Sequence, residues 1–362
     1  MIQSYLLTLE PMEPYFFGNE KTFSFDPKSP ADNRYFIKSE RLPMQTTILG
    51  ALRYLLMPMK KESYRYSNLE QMRNSAIIGP ASFSMDGPEQ DFGAIRQISP
   101  VFLMNNGQKF VRTPFDHCVK ADRKHYTPLC DCETVMTERG EQLYFKDFSA
   151  KTGIPDSYMN VQSGELVEAE EIFHGIVRTG INRGRTERGF YKKQFIRMER
   201  GWTFGAYASL DLDILETDPD AKAALSAMMK GTTVFLGQNK SAFSVRLLPE
   251  EDTLAQTVGK LLRPGVLYCM GDACVDGDVY ARCRFAVSQT RDYRAYQTVF
   301  SRNPDTSYTG SVRKNARLYK MLRAGSILIP DLSRETLAYF RRGQLLKIGF
   351  NATVLNLEDQ ET

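Results

Sequence analysis

The sequence predicts an α+β protein of two units, residues 1–248 and residues 249–362. Three observations lead there. At 362 residues the chain is longer than a usual single domain. Its legible segments run strand, helix, two strands, helix, strand, and then the pattern restarts. After the first helix comes a stretch of short apolar runs with many Gly and Pro and no sustained period, residues 62–176, which reads as a large irregular insertion.

Taken in order, "SYLLTLEPMEPYFFG" begins as a strand, and Pro11 and Pro14 limit it to an edge position or an early stop. In "LPMQTTILGALRYLL", Ile48, Leu52, Leu55 and Met59 recur at helical spacing, while Thr46, Gly50, Arg53 and Lys60 share another face. Glycine inside a helix costs about 1 kcal/mol against alanine, so a close approach to the backbone or tight packing is expected at Gly50. Further on, "FYKKQFIRME" and "WTFGAYASLDLDI" read as the two middle strands. "DPDAKAALSAMMKG", with its acidic start and terminal glycine, reads as the second helix. "TTVFLGQNKSAFSVRLLP" supplies a last strand or a hairpin. This order is the ferredoxin-like (RRM-like, βαββαβ) pattern. From "PEEDTLAQTVGKLLRPGVLYCMG" onward a second α+β unit of similar kind is expected.

The net charge is only +4, but it is unevenly distributed. Arg178 to Arg200 holds eight Lys/Arg against two acids, and so does Arg291 to Arg323. Segregated basic surfaces of this kind suit a polyanion, with solvated faces as the plainer reading. In "RTGINRGRTERGFYKKQF", Arg178, Arg183, Arg185 and Arg188 offer planar forks to phosphate beside Asn182 and Lys192, and Phe190, Tyr191 and Phe195 offer ring faces to bases. "FLGQNKSAF" presents Gln238 and Lys240 in a polar turn. "SVRKNARLYKMLRAGSILIP" places Arg313, Arg317 and Lys320 near helical spacing, either facing phosphate or on a solvated helix.

Signals for catalysis are thin. His117, Cys118, His125, Cys130 and Cys132 are close together inside the insertion and are of the type that holds a structural zinc, the one cofactor the sequence suggests. Ordinary thiols are the competing reading, because Cys-x-Cys is tighter than the usual metal-binding pair. No nucleophile elbow, phosphate-binding loop or metalloprotease motif is present. Without a membrane-spanning apolar run or a basic leader, the chain reads as a cytoplasmic protein.

"LTLEPMEPYFFGNEKTF", "LPMQTTILGALRYLL", "GINRGRTERGFYKKQFIR" and "AGSILIP", in that order, resemble the signature blocks of a CRISPR RAMP protein, above all the third subunit of the type III-B, or Cmr, effector complex. The resemblance implies two ferredoxin-like domains and a non-catalytic role in antiviral defence. Such a subunit caps the 5′ repeat-derived tag of the crRNA and docks on the large polymerase-like subunit beside adjacent RAMP backbone subunits. It also implies that Gln45, Thr46, Thr47, Gly50 and Arg53 receive the tag, and that the block from Arg178 to Lys193 presses on the guide. Two alternatives stay open: the equivalent cap of a type III-A or III-D complex, and a guide-processing endoribonuclease using His174 or Tyr191 with Lys192 and Lys193.

Overall fold

The computed structural model describes the chain apart from residues 19–35, 62–64, 87, 119, 121–122, 131, 150, 152–153, 182–189, 238, 276, 303–306, 315, 332 and 357–362. The N-terminal part forms β1 (Ile2–Pro11), β2 (Phe36–Lys38), α1 (Gln45–Leu56), β3 (Arg65–Ser67) and α2 (Asn68–Ile78). Short strands follow: β4 (Ile95–Ile98), β5 (Phe102–Asn105), β6 (Gln108–Arg112), β7 (Cys132–Thr137), β8 (Gly140–Phe145), β9 (Ser157–Asn160) and β10 (Leu166–Glu168). The middle of the chain holds α3 (Ala169–Ile172), β11 (Phe173–Ile181), β12 (Phe190–Met198), β13 (Trp202–Asp211), α4 (Leu212–Glu216), α5 (Pro219–Lys230), β14 (Thr232–Leu236) and β15 (Ser241–Pro249). The last third adds α6 (Leu254–Gly259), β16 (Leu267–Cys269), β17 (Cys283–Val287), β18 (Thr290–Tyr293), β19 (Tyr296–Arg302), β20 (Ser307–Lys314), β21 (Tyr319–Leu322), β22 (Ile327–Pro330), α7 (Ser333–Ala338), α8 (Gly343–Lys347) and β23 (Thr353–Leu355).

The architecture is mixed α+β. A nine-stranded sheet has the path β10-β9-β6-β5-β13-β1-β15-β14, with β4 pairing β13 off the path. β1 is central rather than an edge strand: β13 and β15 flank it antiparallel along its length. Its run "YLLTL" is apolar on both faces because both are covered. Leu7 and Leu9 enter the main core, while Leu6 joins a second cluster with Leu254, Val258 and Tyr268. Pro11 does end the strand, as its missing N–H requires.

Three further sequence expectations are corrected. "FYKKQFIRME" is not a middle strand of the main sheet. It is β12, which pairs β11 antiparallel and β2 in parallel in a separate three-stranded sheet. The strands on the far side of β13 come instead from the stretch read as an insertion, which contributes β5, β6, β9 and β10 along the path and β4 off it. The segment with basic residues at helical spacing is extended: β20 carries Arg313 and β21 carries Lys320. Tyr308, Thr309 and Val312, β-branched or aromatic, favour that state, and cross-strand pairing prevails over the spacing of the charges.

α5 follows its sequence signals closely. Asp218 caps it by accepting from the amides of Asp220 and Ala221, Pro219 opens it, and Gly231 closes it at φ +107°. The main core extends past residue 249, since Tyr293, Tyr319, Met321, Ile348 and Phe350 pack with Ile48, Leu52 and Phe204. One close approach fixes this junction. A Cβ on Gly349, at φ +86°, would lie 2.1 Å from Gln45 Nε2, so only glycine fits.

Candidate nucleic-acid interface

The junction opens a cleft of about 480 Å³ beside the start of α1. Arg41 leads into the helix, Arg112 and Tyr158 come from β6 and β9, and Asp272, Arg291 and Arg323 come from the C-terminal third. Each guanidinium is held by a carboxylate. Arg41 Nη1 is 2.6 Å and Arg112 Nη2 2.9 Å from Asp156 Oδ1. Arg291 lies 3.1 Å from Asp272 Oδ2 and 3.5 Å from Glu40 Oε2, and Arg323 reaches the same Glu40 oxygen at 3.9 Å.

Burial alone would raise the Asp156 pKa, yet Arg41 and Arg112 hold its carboxyl below the usual range. Burial likewise works against the charge of Arg291, and Asp272 with Glu40 outweighs it, leaving the pKa raised. Four arginines against three carboxylates leave the cleft with positive charge in excess. At its edge, α1 starts at Met44 with no side-chain cap and no acidic residue in the first turn, so the positive end of the helix is not neutralised locally.

The predicted residues of α1 take different places. Gln45 is 5% exposed. Its Nε2 donates to Ser99 O at 2.8 Å and to Ile348 O, and its Oε1 accepts from Val101 N at 3.1 Å, so it ties the helix to both flanking segments. Thr46 Oγ1 accepts from Tyr293 OH at 3.3 Å, while Thr47 is half-buried. No neighbouring element packs on Gly50, because a Cβ there would meet nothing within 4 Å. Arg53 donates to Gly79 O at 2.9 Å and to Ala81 O at 2.8 Å, and burial pushes its pKa down to about 10. It fastens the loop after α2, a role its spacing in the sequence does not reveal.

The second basic surface is the base of the β11–β12 pair. Arg178 lies over the Phe195 ring at 4.6 Å, and Lys193 lies 5.2 Å from the Phe16 ring and 5.8 Å from the Tyr191 ring. Lys192 and Lys240 are exposed, the latter at φ +52° in the β14–β15 turn. Lys193 Nζ donates to Asn239 Oδ1 at 3.4 Å, which brings that turn against the hairpin. Phe190 and Val177 are 65% and 53% exposed, so apolar surface alternates with the cations. Asn182, Arg183, Arg185, Arg188 and Gln238 lie outside the described residues.

Elsewhere, Arg317 is exposed, 3.1 Å from Asp86 Oδ2 and over the Tyr319 ring at 4.9 Å. His174 Nε2 is 2.7 Å from Glu199 Oε2. The cysteines and histidines of the insertion differ in burial: His117 and Cys118 are buried, whereas His125, Cys130 and Cys132 are exposed. His117 Nδ1 accepts from Thr127 N at 3.2 Å. Among the described residues no group of three or more His, Cys, Asp or Glu side chains is placed to hold a metal. No helix of the described residues is long and apolar enough to cross a membrane.

Sequence reasoning missed the cleft. Arg291 and Arg323 carry a signal as the two ends of the second basic stretch. Arg41, Arg112, Asp156 and Asp272 carry none, since they come together only through the fold.

The model of the CRISPR-associated protein (Cas_Cmr3) family matches residues 7–237, and the chain belongs to that family. No curated protein matches it in sequence. Two similar chains come from cryo-EM structures of the type III-B Cmr-beta complex. One, bound to cognate target RNA, has a TM-score of 0.50 at 12% identity, covering 97% of this chain and 96% of that one. The other, bound to cognate target RNA and AMPPnP, has a TM-score of 0.49 at 12% identity over 96% and 95% of the two chains. A chain of the type III-A Csm3-Csm4 subcomplex has a TM-score of 0.38 at 11% identity over 91% and 93%.

Proposed function

We propose that this Cas_Cmr3-family chain is a non-catalytic RNA-binding subunit of a type III-B CRISPR ribonucleoprotein, built from ferredoxin-like units. In this reading it caps the 5′ repeat-derived tag of the crRNA and docks on the large polymerase-like subunit. Family membership supports the complex, and the arginine cleft beside α1 is the observation that carries the RNA role. Paired arginines are already directed and partly desolvated, so a tag phosphate exchanges one anionic partner for another with little reordering. Glu40 and Asp272 give acceptors for base N–H groups, which lets the same cleft read bases as well as charge. The exposed cations and rings of the β11–β12 pair suit the nucleotides that follow.

The test is binding of a tag-bearing RNA to the purified chain across a salt series. Arg323→Ala removes the guanidinium with the longest carboxylate contact in the cleft, so its loss disturbs folding least. Affinity is expected to fall about tenfold and the salt slope by about one. Unchanged affinity and slope reject the cleft as the tag site. In the same incubations the RNA stays intact; a discrete cleavage product would instead favour the nuclease alternative, with His174 beside Glu199 as its base.

A further inference from the structure

We infer that β14 is a docking edge for an extended, uncharged segment of another protein subunit, one whose flanks are acidic. β14 ends the nine-stranded sheet, and among the described residues β15 is the only strand that pairs with it. Alternate residues from Thr232 to Leu236 therefore direct backbone N–H and C=O groups outward. Edges are normally blunted by charge, proline, a bulge or brevity. At the opposite end of the sheet β10 has three residues and ends on Glu168. β14 has none of these devices: the run from Gly231 to Asn239 contains no charged residue and no proline, and its register with β15 is unbroken.

The side chains point the same way. Phe235 is 64% exposed and stands across from Ala242, which leaves one face of its ring open to a neighbour. Thr233, two residues earlier on the same face, is exposed as well. A peptide strand is the ligand whose donors and acceptors alternate as this edge requires, and it supplies an apolar or β-branched side chain against Phe235. Nucleic acid offers no such ladder. A second copy fits poorly, because Lys230, Lys240 and Arg246 are exposed around the edge and self-pairing would bring two such sets to one seam. Those cations instead favour a partner strand with carboxylates at its ends. The inference does not rest on the guide-binding reading, since no residue of the cleft takes part.

The experiment uses the complex purified through a tag on this chain, with a photo-crosslinking phenylalanine analogue at position 235, alongside hydrogen exchange on the complex and on the isolated full chain. The expected result is a crosslink to one protein segment, neutral with acidic flanks, and amides of residues 232–236 slowed about tenfold or more only in the complex. Phe235→Lys should remove that subunit while RNA recovery and the melting temperature stay unchanged. A crosslink to RNA, a crosslink to a second copy, protection already present in the isolated chain, or equal exchange in both samples overturns the inference.

Discussion

The cleft and the β11–β12 hairpin both gather cations, but they hold them in opposite ways. In the cleft every guanidinium meets a carboxylate, and Arg291 is 17% exposed. On the hairpin the cations lean on rings, and Lys192 is exposed. Partly buried pairs fix direction and serve recognition of a defined ligand, at the cost of making the site part of the fold. Exposed cations add attraction that depends on salt and leave the fold alone. The two surfaces should therefore respond differently to substitution.

The sharpest test is Arg291→Ala. Asp272 and Glu40, 14% and 22% exposed, would lose their main cationic partner, and stability should drop by about 3 kcal/mol, read as a lower urea midpoint. Arg291→Lys should restore less than half of that, because a lysine cannot bridge two carboxylates with a planar fork. A midpoint unchanged by the alanine would mean that the cleft is as loosely held as the hairpin. Next in size is Arg53→Met, which leaves the carbonyls of Gly79 and Ala81 without their donor and should cost about 2 kcal/mol with no change in the salt slope of RNA binding. A lower slope with unchanged stability would move Arg53 from the structural group to the RNA-contacting one.

How much of this the sequence disclosed follows from locality. α5 was legible to the residue at both ends because capping is decided within four positions. The α1 stripe was legible because Ile48, Leu52 and Leu55 report one buried face. The role of β12 was not, since alternation marks a strand but does not say which sheet it joins. Arg53 and Gln45 were picked out by a family-like block, yet their hydrogen bonds run to Ala81 and Ile348, partners that no spacing rule can supply. Arg41 and Asp156, 115 positions apart, meet only through the fold for the same reason.

Acid should separate the two surfaces further. The Asp156 carboxyl sits below its usual pKa range because Arg41 and Arg112 stabilise its charged form. Its contribution is complete above the ordinary carboxylate range and is lost as pH falls through the depressed folded value. As the side chain is 50% exposed, the loss is no more than about 1 kcal/mol. Urea midpoints at falling pH should show it, and Asp156→Asn should remove that part of the slope. Asp116 works the other way: burial pushes it to about 6, so its contribution is present below the ordinary range and fades as pH rises through that value. The acid limb is thus best compared between wild type and Asp156→Asn, where Asp116 cancels.

Gly50→Ala should stabilise the chain by about 0.5 to 1 kcal/mol, because the site is an exposed helix interior with no atom beyond the local helix backbone within 4 Å of the added methyl. Weaker RNA or subunit binding in spite of that gain would show that something outside the chain approaches this backbone. Stabilisation with unchanged binding would leave the glycine without a role.

The smallest effect on folding, and the one that decides whether the comparison holds, is expected at the hairpin. Lys192→Ala should change stability by less than about 0.5 kcal/mol, since the side chain is exposed and no described group depends on it. Its effect should fall on RNA binding alone: a salt slope shallower by about one and an affinity loss that is similar for every RNA sequence. Arg178→Ala should match it in slope but lose slightly more affinity, because the guanidinium is already held over Phe195. If either substitution discriminates between tag sequences as strongly as Arg323→Ala does, the hairpin reads bases too, and the division between a cleft that recognises and a hairpin that attracts must be abandoned. If both leave slope and affinity untouched, the rings and cations of β11 and β12 face protein in the assembly, and RNA recognition belongs to the cleft.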